Sequence, residues 1–316
     1  MAKKSKPSLK PDRVRYGVGE WFGKIVSSMT SSEMNEFSLK STMSVKAADM
    51  PCPFRLAADP DARCNKKGGV CSLRQYREDA LGKVTAQGGF VTMCPNRFWA
   101  GNKVFEWIGK DLVDSQKPII VREVDFLETP GVDEAKDTEA TADAVGRIDM
   151  VLMNAANELE WCTVEVQAVY FSGKKMAAHL DQFAVSGLNG MPFPDAIRRP
   201  DFRSSGPKRL MPQLQTKVPT LRRWGKKMAV IIDVSFANSL GAFTKISHLS
   251  NCDIVWYVVD YDQATGEIVL DRKILTTLES SVEALTAGVP RSREEFEGKL
   301  KSILKGTMGK KVVRFS

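Results

Sequence analysis

Nowhere does the chain hold the run of about 18 apolar residues that a membrane helix requires, so no spanning segment is read from it. Its N-terminus, MAKKSKPSLKPDRVR, is basic but has no apolar h-region, which argues against a secretory signal and for a cytoplasmic protein. Histidine is scarce: His179 and His248 are the only two, and neither adjoins a candidate nucleophile, which leaves little room for His-based acid–base chemistry. The paired Cys-x-x-Cys knuckles of common zinc ribbons are also missing. Six cysteines in an intracellular chain of 316 residues argue against a disulfide framework and for metal ligands or free thiols. No internal repeat is visible.

What is present is positive charge, unevenly placed. The chain carries a formal net charge of +8. Residues 191–227 hold ten bases (Arg198, Arg199, Arg203, Lys208, Arg209, Lys217, Arg222, Arg223, Lys226, Lys227) against Asp195 and Asp201, so this stretch accounts for the whole excess. Such a concentration points to phosphate contact, with a solvated basic face as the alternative. The tail bearing Lys3, Lys4, Lys6 and Lys10 is a weaker case, since such tails are often only disordered.

Three zones follow from the pattern. Residues 1–110 are rich in Gly, Pro, Cys and polar residues, with a helical pattern over 16–29, and read as a loop-rich unit in need of a staple. Strand signals follow at 118–121, 147–153, 161–170, 228–236 and 253–260, with helical candidates near 174–187 and 210–224. That alternation predicts an α/β (α+β) fold with a mixed sheet flanked by helices. The acidic stretch 131–146 reads as a loop, and 277–306 has helical periodicity through Val282, Leu285, Phe296, Leu300 and Ile303. The division expected is a Cys-bearing unit over 1–110 and a second domain over 111–316.

Two constellations carry chemistry. If the chain turns about Asn157, flanking strands pair so that Asp149 faces Glu165, with Gln167 on the same face two residues on. Two opposed carboxylates repel unless a cation lies between them, and a hard divalent ion such as Mg²⁺ resolves that conflict. An ordinary half-buried hairpin with its polar face to water has the same alternation. The second constellation is Cys52, Cys64, Cys71 and Cys94, set among Pro, Gly and charged residues. That setting favours a tetrahedral thiolate site over four thiols packed as small hydrophobes. Cys162 and Cys252 fall within predicted strands and read as packing residues.

The blocks Cys52-Pro53-Phe54, Gly69-Val70-Cys71 and Cys94-Pro95-Asn96-Arg97, followed by the Asp149 strand and by Val164-Glu165-Val166-Gln167, resemble the NotI-type restriction endonucleases. That family is a branch of the PD-(D/E)xK nuclease superfamily. The resemblance implies a PD-(D/E)xK-like nuclease domain behind a small N-terminal unit that binds metal through four cysteines. It also implies a homodimer cutting both strands of a palindromic double-stranded DNA site with Mg²⁺, and a companion methyltransferase protecting the host. An iron ion (zinc being the alternative) would sit on Cys52, Cys64, Cys71 and Cys94. Asp149, Glu165 and Gln167 would form the nuclease centre, Asp149 and Glu165 as Mg²⁺ ligands and Gln167 where the wider superfamily has Lys. Glu123 is the best match to the family's further glutamate, with Asp125 and Glu128 as rivals.

Arginine is the commonest reader of guanine. Arg198, Arg199, Arg203, Arg209, Arg222 and Arg223, with Arg55, Arg63, Arg74 and Arg97 of the Cys region, are therefore the candidate DNA contacts for a GC-rich site. Two other readings stay open: a structure-specific repair or recombination nuclease, and a non-catalytic metal-knuckle DNA-binding protein.

Overall fold

Strands stand where a helix was expected over 16–29. Gly17 and Gly19 disfavour a helix there, and a Cβ at Gly17 would meet Pro194 at 2.7 Å and the His179 ring at 3.0 Å. Strand β1 (Arg13–Trp21) turns through Phe22 and Gly23, at φ 43° and 80°, into β2 (Lys24–Ile25). Two left-handed residues in a two-residue loop match the twist of the flanking strands. Helix α1 (Ser31–Thr42), β3 (Val70–Glu78) and β4 (Val84–Thr92) follow. The four strands form an antiparallel sheet in the order β2-β1-β3-β4. The zone expected to be loop-rich thus has a sheet and a core of its own, in which Trp21 and Phe22 pack on Phe37 of α1 and Leu73 of β3.

The computed structural model describes residues 12–42, 50–127, 146–173, 176–186, 191–286 and 291–305. Lys3, Lys4, Lys6, Lys10, Glu128 and residues 131–145 of the acidic stretch lie outside the described residues.

Helix α2 (Lys103–Leu112) leads to β5 (Ile119–Asp125), β6 (Arg147–Asn154) and β7 (Asn157–Val166). A two-stranded ribbon of β8 (Tyr170–Gly173) and β9 (Arg198–Asp201) brackets α3 (Ala177–Ser186). A short α4 (Phe202–Ser205) and a π-helical turn at Gly206–Leu210 run into α5 (Met211–Arg223). Then come β10 (Met228–Asp233), α6 (Val234–Ala237), β11 (Ile254–Tyr261) and β12 (Ile268–Thr276). Helices α7 (Leu278–Thr286) and α8 (Arg293–Lys305) end the described chain.

The central sheet has the order β12-β11-β10-β7-β6-β5. Strands β7, β10 and β11 run parallel and the outer pairs antiparallel, so the sheet is mixed as expected. Strands of a covered parallel core read as continuous apolar runs, and every residue of β10 is buried. Ala229, Ile231 and Tyr257 face α2 through Phe105 and Ile108. Val230, Ile232 and Trp256 face α5 through Leu214, Val218 and Leu221. Burying a side chain such as Ile231 or Ile232 contributes about 1.5–3 kcal/mol over leaving it exposed.

The core on the α2 side also draws in Phe90, Phe98 and Trp99 from the N-terminal zone. Asp233 at the end of β10 accepts the Thr92 N–H at 2.7 Å, and the Thr92 carbonyl accepts the Val169 N–H at 2.8 Å. Those bonds fasten the N-terminal sheet to the loop that follows β7.

Several expected bounds shift. The strand expected over 161–170 ends at Val166. That over 228–236 ends at Asp233, whose Oδ1 accepts the Phe236 N–H at 2.7 Å and starts α6. Cys252 is buried but precedes β11, and Cys71 lies in β3 rather than in a loop. Strands β3, β4 and β12 were not expected; each is interrupted by charged or glycine residues and is specified by its neighbours. Among the described residues no helix is long and apolar enough to cross a membrane.

Candidate active site and metal centre

The hairpin β6–β7 turns at Ala155 and Ala156, one step before the expected Asn157. Asn154 and Asn157 hold the turn, their side-chain oxygens accepting the N–H groups of Ala156 at 2.8 Å and Leu159 at 3.2 Å. The register is the expected one: Met150 pairs with Val164, Val151 with Thr163 and Leu152 with Cys162. One further step sets Asp149 opposite Glu165, and Asp149 Oδ2 accepts the Val166 N–H at 2.9 Å. On the other side, Arg122 pairs with Met150 and Val124 with Ile148, which sets Glu123 beside Asp149. Glu123, Asp149 and Glu165 therefore follow one another across β5, β6 and β7.

Pairing is interrupted at Glu123, whose φ of 54° is left-handed. A non-glycine residue in that region is held there by its surroundings, and such strain gathers at functional sites. Its rival Asp125 faces Arg147 instead and pairs with it at 3.1 Å. Glu123 is exposed and touches Arg122 at 3.5 Å and Arg147 at 3.8 Å.

The polar face of the hairpin, which an ordinary half-buried hairpin would turn to water, is covered. Thr163, Glu165 and Gln167 are 0%, 2% and 9% exposed, because α5 lies over them. Burial pushes the Asp149 carboxyl up, the Val166 N–H and Lys217 pull it down, and Glu123 adds to the rise. Burial and then the Asp149 charge push the Glu165 carboxyl up, against the pull of Lys217. Lys217 Nζ lies 2.6 Å from Glu165 Oε1, the contact of an ionised pair, with both side chains buried. The same ammonium donates to Gln213 Oε1 and to the Arg147 carbonyl. Lys217 is thus corrected from a phosphate contact to a buried partner of the acidic pair. Its place in the buried set Leu214, Lys217, Val218 and Leu221 of α5 was the signal for this.

Asp149 and Gln167 open onto a cleft of about 410 Å³ that Lys66, Pro95, Lys208 and Arg209 also line. The Arg209 guanidinium stacks 3.6 Å above the Tyr170 ring. Gln167 Nε2 donates to the Ala168 carbonyl at 2.6 Å.

The other candidate DNA contacts divide. Arg199, Arg203, Arg209 and Arg223 are exposed. Arg198 is 3% exposed and pairs with Asp195 at 2.8 Å. Arg222 pairs with Asp253 at 2.5 Å and Glu279 at 3.2 Å, near the end of α5 opposite Gln213. Nine helical steps separate Gln213 and Arg222, about 14 Å, so residues 191–227 do not make one basic face. In the Cys region Arg55 pairs with Asp59 at 2.8 Å and Arg63 is exposed. Arg74 is 7% exposed and stacks on Phe90. Arg97 is corrected from a base reader to a core cation: it pairs with Glu20 at 2.8 Å, both 1% exposed, between the Phe54 and Tyr261 rings.

Cys52, Cys64, Cys71 and Cys94 are free and buried. Cys52 and Cys64 flank the bridge between Pro51 and Arg63, and Cys94 donates its N–H to the Cys71 carbonyl at 3.0 Å. Burial pushes the Cys64, Cys71 and Cys94 thiols up, and for each the charge of a neighbouring cysteine adds to the rise. A sulfur-only donor set of this kind suits iron or zinc. Among the described residues no three Cys, His, Asp or Glu side chains stand close enough to form a ready metal-holding set. At the acidic row the protein supplies a carboxylate pair, the complement that Mg²⁺ takes when phosphate and water complete its shell. His179 is buried against Phe183, with Nδ1 3.2 Å from Gln182 Oε1, and takes no part in the cleft.

The family model described as "Restriction endonuclease NotI" matches residues 37–269, a span that includes all four cysteines, the acidic row and the cleft. No curated protein matches the chain, and no solved structure does.

Proposed function

The chain belongs to the NotI restriction endonuclease family, and from that premise we propose how it cuts DNA. As a member it is a type II restriction endonuclease, a site-specific deoxyribonuclease acting on double-stranded DNA. Our reading is a Mg²⁺-dependent cut on both strands of a GC-rich palindrome by a homodimer of PD-(D/E)xK architecture, with a companion methyltransferase shielding the host. The observation that carries it is the alignment of Glu123, Asp149 and Glu165 across three neighbouring strands, beside a cleft rimmed by Lys66, Lys208 and Arg209.

Asp149 and Glu165 would hold the Mg²⁺, with Glu123 as the third acid. When bound, the metal supplies Lewis acidity and a more acidic water. Gln167 is a neutral amide, so it can orient that water by hydrogen bonding but adds no charge. Lys66, Lys208 and Arg209 would bind the phosphate entering the cleft, and Arg199 and Arg203 would extend the contact along the duplex. Cys52, Cys64, Cys71 and Cys94 would hold an iron ion, drawn together on binding, that ties the segment of Cys52 and Cys64 to β3 and to the turn at Cys94 within residues 1–110. Their shared burial, their free thiols and the hydrogen bond from the Cys94 N–H to the Cys71 carbonyl support this.

Incubation of the protein with a long duplex and Mg²⁺ tests the reading. Discrete fragments whose ends map to one GC-rich palindrome are expected. A smear or exonucleolytic loss would favour a repair nuclease, and an intact substrate a binding protein.

A further inference from the structure

Lys217 sits where a basic residue has no access to DNA. Its side chain is 0% exposed. An ammonium has three N–H bonds, and here they meet Glu165 Oε1, Gln213 Oε1 and the Arg147 carbonyl. None is left for a phosphate. Its charge also reaches Asp149. The backbone cannot swing it away, because Leu214, Val218 and Leu221 on the same helix are packed in the core.

We propose that Lys217 is a built-in counter-cation that occupies Glu165 in the metal-free protein, competes with the divalent ion for it, and so sets how much Mg²⁺ the enzyme needs. This rests on the reading of Asp149 and Glu165 as metal ligands. Without a cation the two buried carboxylates would repel each other, and an unpaired buried charge is strongly unfavourable. Lys217 relieves that in the empty site. When a divalent ion enters, Asp149 and Glu165 alone would balance its charge; Glu123 is exposed and already faces Arg122 and Arg147, so the added ammonium leaves the buried part of the site with a surplus positive charge. At such short range, away from water, that surplus opposes the ion. Lys217 is a positioning residue on this account: it acts through Glu165 and touches neither substrate nor reacting atoms.

The test uses the full chain with Lys217→Met and Lys217→Gln, the second keeping a hydrogen-bonding side chain without charge. Mn²⁺ binding to the DNA-free protein, measured by titration calorimetry, should tighten on the order of tenfold in both. The Mg²⁺ concentration for half-maximal cleavage should fall in parallel. Unchanged or weaker Mn²⁺ binding by either folded variant would overturn the proposal, since a purely structural lysine would alter stability alone. A third measurement needs no variant: the Lys217 ammonium resonance of the wild-type protein should shift as Mg²⁺ is added, and a signal indifferent to saturating Mg²⁺ would also overturn it. Glu165→Gln separates this from the reading beneath it. If that variant cleaves like wild type, the nuclease centre is misassigned. If it is inactive while Lys217→Met binds Mn²⁺ no better than wild type, the counter-cation alone fails.

Discussion

Asp149 accepts the backbone N–H of Val166 at 2.9 Å, so the first acid of the candidate centre is tied to the strand that carries the second. The bond fixes the Asp149 side chain toward β7 and leaves its charge beside Glu165.

A pair of substitutions separates that tie from that charge. Asp149→Asn keeps an oxygen to accept the Val166 N–H and removes the charge; Asp149→Ala removes both. Cleavage should fall at least ~100-fold in each, since a metal ligand supplies several kcal/mol of transition-state stabilisation. Duplex binding in Ca²⁺ should persist in both, and only Asp149→Ala should lose measurable stability. Both Glu165→Ala and Glu165→Gln leave the buried Lys217 charge without its counter-ion, at about 3–5 kcal/mol, and Glu165→Ala should be the worse for folding because it also leaves one Lys217 N–H without an acceptor. Cleavage and denaturant unfolding of the four proteins check this, and near-wild-type cleavage by Asp149→Asn would sink the assignment.

The hairpin register could be read from residue numbers because period-two alternation and the Asn-bounded turn leave few ways to pair β6 with β7. Helix α5, which covers one face of the sheet, was likewise legible from its apolar stripe, whereas α2 on the other face was not, since most of it falls in the zone that read as loop-rich. Lys217 was not, because a charge count treats every lysine in a basic run alike, while a helical stripe marks this one as buried. Nor was the left-handed backbone at Glu123, for no glycine announces it. Strand β3, which reads VCSLRQYRE, is specified by β1 and β4 on its two sides rather than by its own polar sequence. Arg97 illustrates the same limit: only its contact with Glu20, distant in sequence, turns an apparent DNA contact into a core ion pair.

The cysteine cluster should carry about one iron, or zinc in its place, per chain, measured by elemental analysis of the purified protein. Cys71→Ser should lose it, since a serine hydroxyl replaces one of four thiolate ligands with a much weaker donor for either metal. Metal release should also lower the melting temperature, because binding energy at such a site contributes directly to folding. Four titratable thiols in native, metal-free protein of undiminished stability would refute the site.

Acid should destabilise the protein partly through His179. Burial pushes its pKa down to about 4 in the folded chain, whereas an exposed histidine takes its proton near pH ~6.5. Between those values the unfolded chain binds more protons, so stability rises with pH across the window and is lost as pH falls toward 4, by up to about 3 kcal/mol. Asp233, pushed up to about 6 by burial, acts with the opposite sign. The comparison is therefore between wild type and His179→Leu, unfolded with urea at several pH values. The gap between the two curves should change steeply from pH ~6.5 to ~4; parallel curves would show that His179 does not titrate as its burial requires.

Arg209 and Arg222 should part company although both were read as DNA contacts. Arg209 lines the cleft and stacks on Tyr170, with no acidic partner among its described contacts. Arg222 already serves Asp253 and Glu279. If Arg209 meets a phosphate, Arg209→Ala should weaken binding to all duplexes alike and reduce the slope of log affinity against log salt by about 1. If it reads a base instead, the loss should be about 1–3 kcal/mol and confined to one position of the site. Arg222→Ala should leave both the affinity and the slope alone and cost at most about 1 kcal/mol of stability, the range of an exposed ion pair. Filter binding at several salt concentrations in Ca²⁺, with cognate and scrambled duplexes, distinguishes the outcomes. An unchanged slope and affinity for Arg209→Ala would remove the cleft rim from the DNA path.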